Sequence, residues 1–140
     1  MERVKLVKEI MADNVVTVSA DDSVYAAARL MAEKGVGSCV VVKDEKPVGI
    51  VTERDVVRKV VAVGLSPKRT RVERIMSSPL IVVGENTSIA DAAAIMAGHR
   101  VRRLVVVRED RLAGVVSVTD LVRAVGEAGI KTVIPALLRG

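Results

Sequence analysis

Residues His99 to Val125, HRVRRLVVVREDRLAGVVSVTDLVRAV, carry the side chains best placed by type and spacing to do chemistry. Arg100, Arg102 and Arg103 lead into an apolar run, Leu104 to Val107. A charged turn, Arg108 to Arg111, leads to a second run from Gly114, and Ser117-Val118-Thr119-Asp120 follows as a helical pattern begins. Short Val-rich runs suit buried strands. Ser117 to Asp120 then falls where a strand hands over to a helix, with backbone N–H groups unpaired and a dipole that favours an anion. With guanidiniums close by in sequence, the ligand chemistry that fits is a phosphate. Ser-x-x-Asp is equally a variant of the capping box, in which the two side chains satisfy only the helix's own donors. The stretch by itself supports both readings.

The elements that must position these residues come in two copies. Val7 to Val60 lies on Val72 to Val125 without a gap at an offset of about 65 residues, with roughly 19 of about 54 positions identical. Ile10-Met11 falls on Ile75-Met76, Ser23 on Ser88, Ala27-Ala28 on Ala92-Ala93, Gly49 on Gly114 and Asp55 on Asp120. Each copy reads as strand, helix, strand, strand, helix. The opening strands are Val15 to Val18 and Leu80 to Val83. The helices that follow carry Val24, Ala27, Ala28, Met31 and Ile89, Ala92, Ala93, Met96 on one apolar face. These methionines are read as core, and Gly35 as a left-handed cap. Strands are expected near 38–43 and 48–52, joined by a charged turn holding Pro47, and near 103–108 and 113–117. Closing helices are expected near 53–63 and 118–126. The organisation is thus a first repeat over 1–64, a linker over 65–71, a second repeat over 72–126 and a tail over 127–140, in an α/β fold.

Composition narrows the function classes. Half of the 140 residues are hydrophobic, yet Tyr25 is the one aromatic, so the base-stacking platforms of many RNA and single-strand binders are absent. The formal charge of +5 favours anionic ligands without choosing among them. The lone Cys39 excludes an internal disulfide or a cysteine-based zinc cluster, and the lone His99 has no nucleophile arranged around it. No metal-ligand spacing, GxSxG or Walker loop occurs, which argues against an enzyme. No apolar run reaches membrane-spanning length and no signal-peptide core opens the sequence, so a cytoplasmic protein is expected.

The duplicated pattern resembles a pair of CBS domains, the tandem called a Bateman module. The residues that carry the resemblance are Gly49-Ile50-Val51-Thr52-Glu53-Arg54-Asp55 and Gly114-Val115-Val116-Ser117-Val118-Thr119-Asp120, together with Ile-Met at 10 and 75. His99-Arg100-Val101-Arg102-Arg103-Leu104 is similar to a stretch in the nucleotide-sensing γ subunit of AMP-activated protein kinase. In that subunit the two positions before the Leu face phosphates. The first copy is read as placing Ser38-Cys39 there, which makes the two ends unequal.

The resemblance implies two repeats packed by their sheets about a pseudo-twofold axis, with two ligand clefts that each borrow from both copies. One cleft would take Asn14, Val16, Val36, Gly37 and Ser38 with Arg102, Ser117, Thr119 and Asp120. The other would take Pro79, Ile81, Val101 and Arg103 with Thr52, Arg54 and Asp55. The ligand implied is an adenine nucleotide, AMP first and ADP or ATP next, acting as a regulatory ligand; related modules also accept NAD and S-adenosylmethionine. A homodimer is expected, covering a helix face such as Val56-Val57-Val60, and a separate effector protein is a further implied partner. Two competing readings are a nucleic-acid binder using Arg100, Arg102, Arg103, Arg108, Arg111 and the stretch Pro67 to Arg71, and a degenerate dimerisation module without ligand.

Overall fold

The computed structural model describes residues 5–78 and 80–126. The chain divides into two compact α/β units, one formed by Val15–Leu80 and the other by the residues up to Asn14 together with those from Ile81 onward. The division does not follow the sequence repeat. The first eight or so residues of each copy belong to the unit built on the other copy's sheet.

In the Val15–Leu80 unit the order is β1 (Thr17–Ser19), α1 (Val24–Lys34), β2 (Ser38–Lys43), β3 (Lys46–Thr52), α2 (Glu53–Val56) and α3 (Val72–Ile75). β1 runs parallel to β2, and β2 pairs antiparallel with β3. The chain continues helically from α2 through a wide π-type turn, Val57–Val61, in which the Ala62 N–H reaches the Val57 carbonyl at 2.8 Å. The second unit repeats the plan with β4 (Val82–Gly84), α4 (Ile89–His99), β5 (Arg103–Arg108) and β6 (Arg111–Ser117), closed by α5 (residues 118–126). β4 is parallel to β5, and β5 antiparallel to β6.

The helices start and stop where their sequence provides caps. Ser23 Oγ accepts from the Ala26 N–H at 3.0 Å, and Ser88 Oγ from the Asp91 N–H at 3.1 Å. Gly35 ends α1 with φ 65° and ψ 34°. At the matching place after α4 stands Arg100, with φ 56° and ψ 41°, a left-handed conformation that costs a residue with a Cβ. Helix faces and strands meet in one core per unit. Val24, Ala27 and Met31 pack with Val18, Cys39, Val41 and Val51, and Ala92, Ala93 and Met96 pack with Val83, Leu104, Val106 and Val116. Methionine therefore fills core volume, as expected.

The exchange of opening segments is visible in both cores. Val72 and Ile75 complete the first, and Val7 completes the second. Val7 N–H bonds the Thr87 carbonyl at 2.8 Å, and Val72 N–H bonds the Asp22 carbonyl at 2.8 Å, the same bond at equivalent positions.

Three expectations change in detail. Both hairpins turn on two residues, Asp44-Glu45 and Glu109-Asp110, all four at φ between 51° and 67°. That is the left-handed pair a two-residue hairpin needs, made here without Asn or Gly. Pro47 consequently lies inside β3, opposite Val42 at a bulge, rather than in the turn. The stretch read as the linker, 65–71, makes bonds of its own. Thr70 is buried, its hydroxyl donates to the Ser66 carbonyl at 2.8 Å, and its own carbonyl accepts from the Val24 N–H. The helix face Val56-Val57-Val60 is split: Val60 is buried and Val56 packs on the core, while Val57 and Val61 are 58% and 63% exposed. The tail over 127–140 lies outside the described residues.

Candidate functional site

Each unit ends its sheet in the same junction. β3 passes into α2 at Thr52, and Thr52 Oγ1 accepts from the Asp55 N–H at 3.1 Å while Asp55 Oδ2 accepts from the Thr52 N–H at 2.9 Å. β6 passes into α5 at Ser117, where Ser117 Oγ accepts from Asp120 N–H at 3.2 Å and Asp120 Oδ2 from Ser117 N–H at 2.9 Å. Both are reciprocal capping boxes. The capping reading of Ser-x-x-Asp is therefore present in the structure. It uses one oxygen of each carboxylate and leaves the other, Oδ1, for further partners.

Next to each junction lies the segment leaving the first helix. The Glu53 N–H bonds the Gly37 carbonyl at 3.0 Å, and the Val118 N–H bonds the Arg102 carbonyl at 3.0 Å. Across the antiparallel pair, Ser38 stands opposite Thr52 and Arg103 opposite Ser117. Opposed residues project to the same face of a sheet. Because Cys39 and Leu104, one residue on, enter the cores, Ser38 and Arg103 project from the face away from them. This register corrects the matching of the two copies. The counterparts of Arg102 and Arg103 are Gly37 and Ser38, not Ser38 and Cys39, and Cys39 is buried core. Burial also raises the Cys39 thiol above its ordinary value near 9.0, since the thiolate would lose its hydration.

The candidate residues divide between the units. Val16, Val36, Gly37, Ser38, Thr52, Arg54 and Asp55 belong to one, and Asn14, Ile81, Val101, Arg102, Arg103, Ser117, Thr119 and Asp120 to the other. Each set of residues that the resemblance assigns to one cleft draws on both units. Val16 and Val36 are half-buried against the first core, and Ile81 and Val101 against the second. Asn14, Gly37, Arg54, Arg102, Arg103 and Thr119 are exposed, and Ser38, Thr52, Ser117 and Asp120 half-buried. Asp55 is buried. Pro79 lies outside the described residues.

The electrostatics of the two junctions differ. Arg102 and Arg103 have no carboxylate partner among the described residues. Among the described residues, Asp120 Oδ1 has only the exposed Arg123, at 3.9 Å. Around Asp55 the chain supplies its own charges. Lys59 Nζ is 3.0 Å from Asp55 Oδ1, and the Glu53 carboxylate lies beside Gly37, its Oε2 3.5 Å from where a Cβ would stand. Neither Lys59 nor Glu53 was singled out from the sequence. The Asp55–Lys59 spacing of four on a helix was the available signal.

Within the second unit the basic residues fall at two places. Arg102 and Arg103 stand at one end of β5 and Arg108 and Arg111 at the other, about 17 Å away for five strand steps. Arg108 is paired with Glu85 at 2.6 Å, Arg71 lies within 4 Å of Asp21 and Glu73, and Lys68 sits over the Tyr25 ring. No group of His, Cys, Asp and Glu suited to a metal ion is found among the described residues, and no described helix is long and apolar enough to cross a membrane.

The family model for the CBS domain matches residues 7–62 and 72–127. A mitochondrial CBS domain-containing protein of Arabidopsis thaliana is 39% identical over 112 residues, covering 76% of this chain and 54% of that protein. The chain thus spans about half the length of that relative. A CBS-domain protein from Burkholderia ambifaria has a similar solved structure, with 41% identity, a TM-score of 0.77, and coverage of 86% of this chain and 93% of that one. The CBS domain pair of protein MJ0100, solved in complex with 5-methylthioadenosine and S-adenosyl-L-methionine, is 25% identical with a TM-score of 0.75, covering 87% of this chain and 96% of that one. With two matched repeats, a shared duplicated fold and the paired Gly-to-Asp junctions, this chain belongs to the CBS domain family as a tandem pair.

Proposed function

We propose that this CBS pair is a regulatory module that binds adenine nucleotides, AMP first and ADP or ATP next, and that its stronger end is the Ser117–Asp120 junction. The observation that carries the reading is the pair Arg102 and Arg103, exposed and without a carboxylate partner among the described residues, beside a helix start with two hydroxyls. Guanidiniums form charge-assisted bonds to phosphate, and the N–H groups at a helix start add to them. Asp120 Oδ1, left over by the capping box, is an acceptor of the kind a ribose diol needs. The adenosine ligands of the MJ0100 pair support an adenosyl compound over a bare phosphate.

The module acts in this reading without catalysis, on a separate effector protein in the cytoplasm, as a homodimer. A thermal-shift panel of AMP, ADP, ATP, NAD and S-adenosylmethionine tests it, because a ligand that binds the folded chain raises its melting temperature. AMP stabilisation that is lost in Arg102→Met/Arg103→Met is the expected result. A panel in which none of the five shifts the transition overturns the reading. Against the nucleic-acid alternative, Arg108 is held by Glu85 and Arg71 lies within 4 Å of Asp21 and Glu73.

A further inference from the structure

We infer that Lys59 is a built-in occupant of the Asp55 carboxylate, which ties that residue into the fold and closes its junction to the ligand that the Asp120 junction accepts. The statement about the ligand rests on the nucleotide reading above; the statement about the tie does not.

Lys59 makes two bonds with one ammonium group. Its Nζ is 3.0 Å from Asp55 Oδ1 and donates to the Ile75 carbonyl at 3.0 Å. Asp55 Oδ2 is already engaged by the Thr52 N–H. Both carboxylate oxygens are thereby used within the chain. The Ile75 carbonyl belongs to the last residue of α3, an orphan acceptor of the kind left at any helix end. The lysine therefore joins α2, the capping carboxylate and α3. The wide turn at Val57–Val61 carries Lys59 and lies in this same stretch.

The other copy keeps the capping carboxylate but lacks the lysine. At the matching position after Asp120 stands Ala124, which has no charge to offer. Its carbonyl accepts from Lys5 Nζ at 3.1 Å, so the lysine there bonds backbone rather than the carboxylate. Among the described residues, Asp120 Oδ1 keeps only Arg123, 3.9 Å away, with 77% of the arginine side chain exposed. An exposed pair at that distance contributes little and yields readily to a ligand. Asp55, with 11% of its side chain exposed against 19% for Asp120, is also the less reachable of the two. A ribose arriving at Asp55 would have to displace an ammonium that keeps its second bond to Ile75, whereas one arriving at Asp120 meets a free lone pair.

Two measurements on the full chain test this. In the first, thermal unfolding is followed for Lys59→Met, Asp55→Asn and the double variant. The tie requires that Lys59→Met lower the melting temperature in the parent and lower it clearly less once Asp55 is Asn, where only the bond to the Ile75 carbonyl is left to lose. Equal effects of Lys59→Met in both backgrounds overturn the tie, whatever the chain binds. In the second, AMP is titrated calorimetrically into the parent, Asp120→Asn and Lys59→Met. The parent should saturate with one AMP per chain and Asp120→Asn should lose it, while Lys59→Met should gain a second AMP, bound roughly tenfold tighter than at the parent's Asp55 junction. Two equivalent AMP per chain in the parent overturn the closure. Absence of AMP binding in all three removes the nucleotide reading and with it the closure, and leaves the tie to be decided by the unfolding cycle.

Discussion

Gly49 lies directly under Met76: a Cβ on Gly49 would come within 2.6 Å of the Met76 Sδ and 2.9 Å of the Ser77 carbonyl. Gly114 stands in the same relation to Met11, with the Ala12 carbonyl also at 2.6 Å. These glycines open the Gly-to-Asp motifs, and the contact explains why. Each allows the opening segment of the opposite sequence copy to pair along the sheet edge, as Ile50 does with Ser77 and Val115 with Ala12. Gly114→Ala is expected to destabilise the fold by about 1–3 kcal/mol, the range for overpacking a close contact. Gly49→Ala should cost less, because its backbone neighbour, the Ser77 carbonyl, stands at 2.9 Å where Gly114 meets the Ala12 carbonyl at 2.6 Å. Denaturant unfolding of the two variants checks the order.

At the junction itself, stability and binding can be separated. Ser117→Ala removes a cap acceptor and should cost about 1 kcal/mol of stability. Asp120→Ala should lower stability by a similar amount through the lost Ser117 N–H bond, and weaken AMP binding by about 1–3 kcal/mol through the lost charged acceptor. The measurement is melting temperature beside calorimetric affinity. An Asp120→Ala chain that melts lower yet binds AMP as the parent does would make the carboxylate a cap alone.

Much of this was legible in the sequence because the repeat doubles every signal. Strand, helix and cap positions could each be read twice, and Ser23, Ser88 and Gly35 act as their types suggest. The hairpin turns are legible in place but read too long, because Asp44-Glu45 and Glu109-Asp110 adopt positive φ against their residue preference, held there by the strand register on either side. The exchange of opening segments was missed for a different reason. A gapless repeat shows that Ile10-Met11 and Ile75-Met76 are equivalent, but not which sheet each one covers. The Lys59 bond was hidden for the same reason, since its second acceptor, Ile75, is sixteen residues away.

Arg100 offers a stabilising change. It occupies the left-handed position that Gly35 fills in the other copy, and a Cβ there costs about 1 kcal/mol. Arg100→Gly should therefore raise the melting temperature by a few degrees. A drop instead would mean that the guanidinium contributes more than its backbone costs.

Cys39 should be silent to thiol reagents while the chain is folded. It is 2% exposed in the core, and burial holds its thiol above the ordinary value near 9.0. Because the folded value is the raised one, the contribution of the neutral thiol to stability is fully present below about pH 9 and is lost as pH rises through the folded value. Alkylation by iodoacetamide at pH 8 should be slow for the native chain and fast in denaturant. Rapid native labelling would place the sulfur at the surface.

The last prediction concerns assembly. Val57 and Val61, one helical turn apart, are 58% and 63% exposed, and Val63 beyond them is 62% exposed. Val60, between them in sequence, is fully buried, so the helix divides its valines between the core and the outer face. Single exposed valines are ordinary, but Val57 and Val61 four residues apart share the outer side of one helical turn, a pairing of the kind that associates. In a twofold dimer the same patch meets itself, and each substitution acts twice. Val57→Glu/Val61→Glu is therefore expected to shift the light-scattering mass from two chains toward one, with little change in the core because neither side chain enters it. The control is Val60→Glu, which buries a charge and should unfold the unit rather than dissociate an intact one. A parent mass of one chain at micromolar concentration would remove this face as an interface, and an unchanged two-chain mass in the double variant would move the interface elsewhere on the surface.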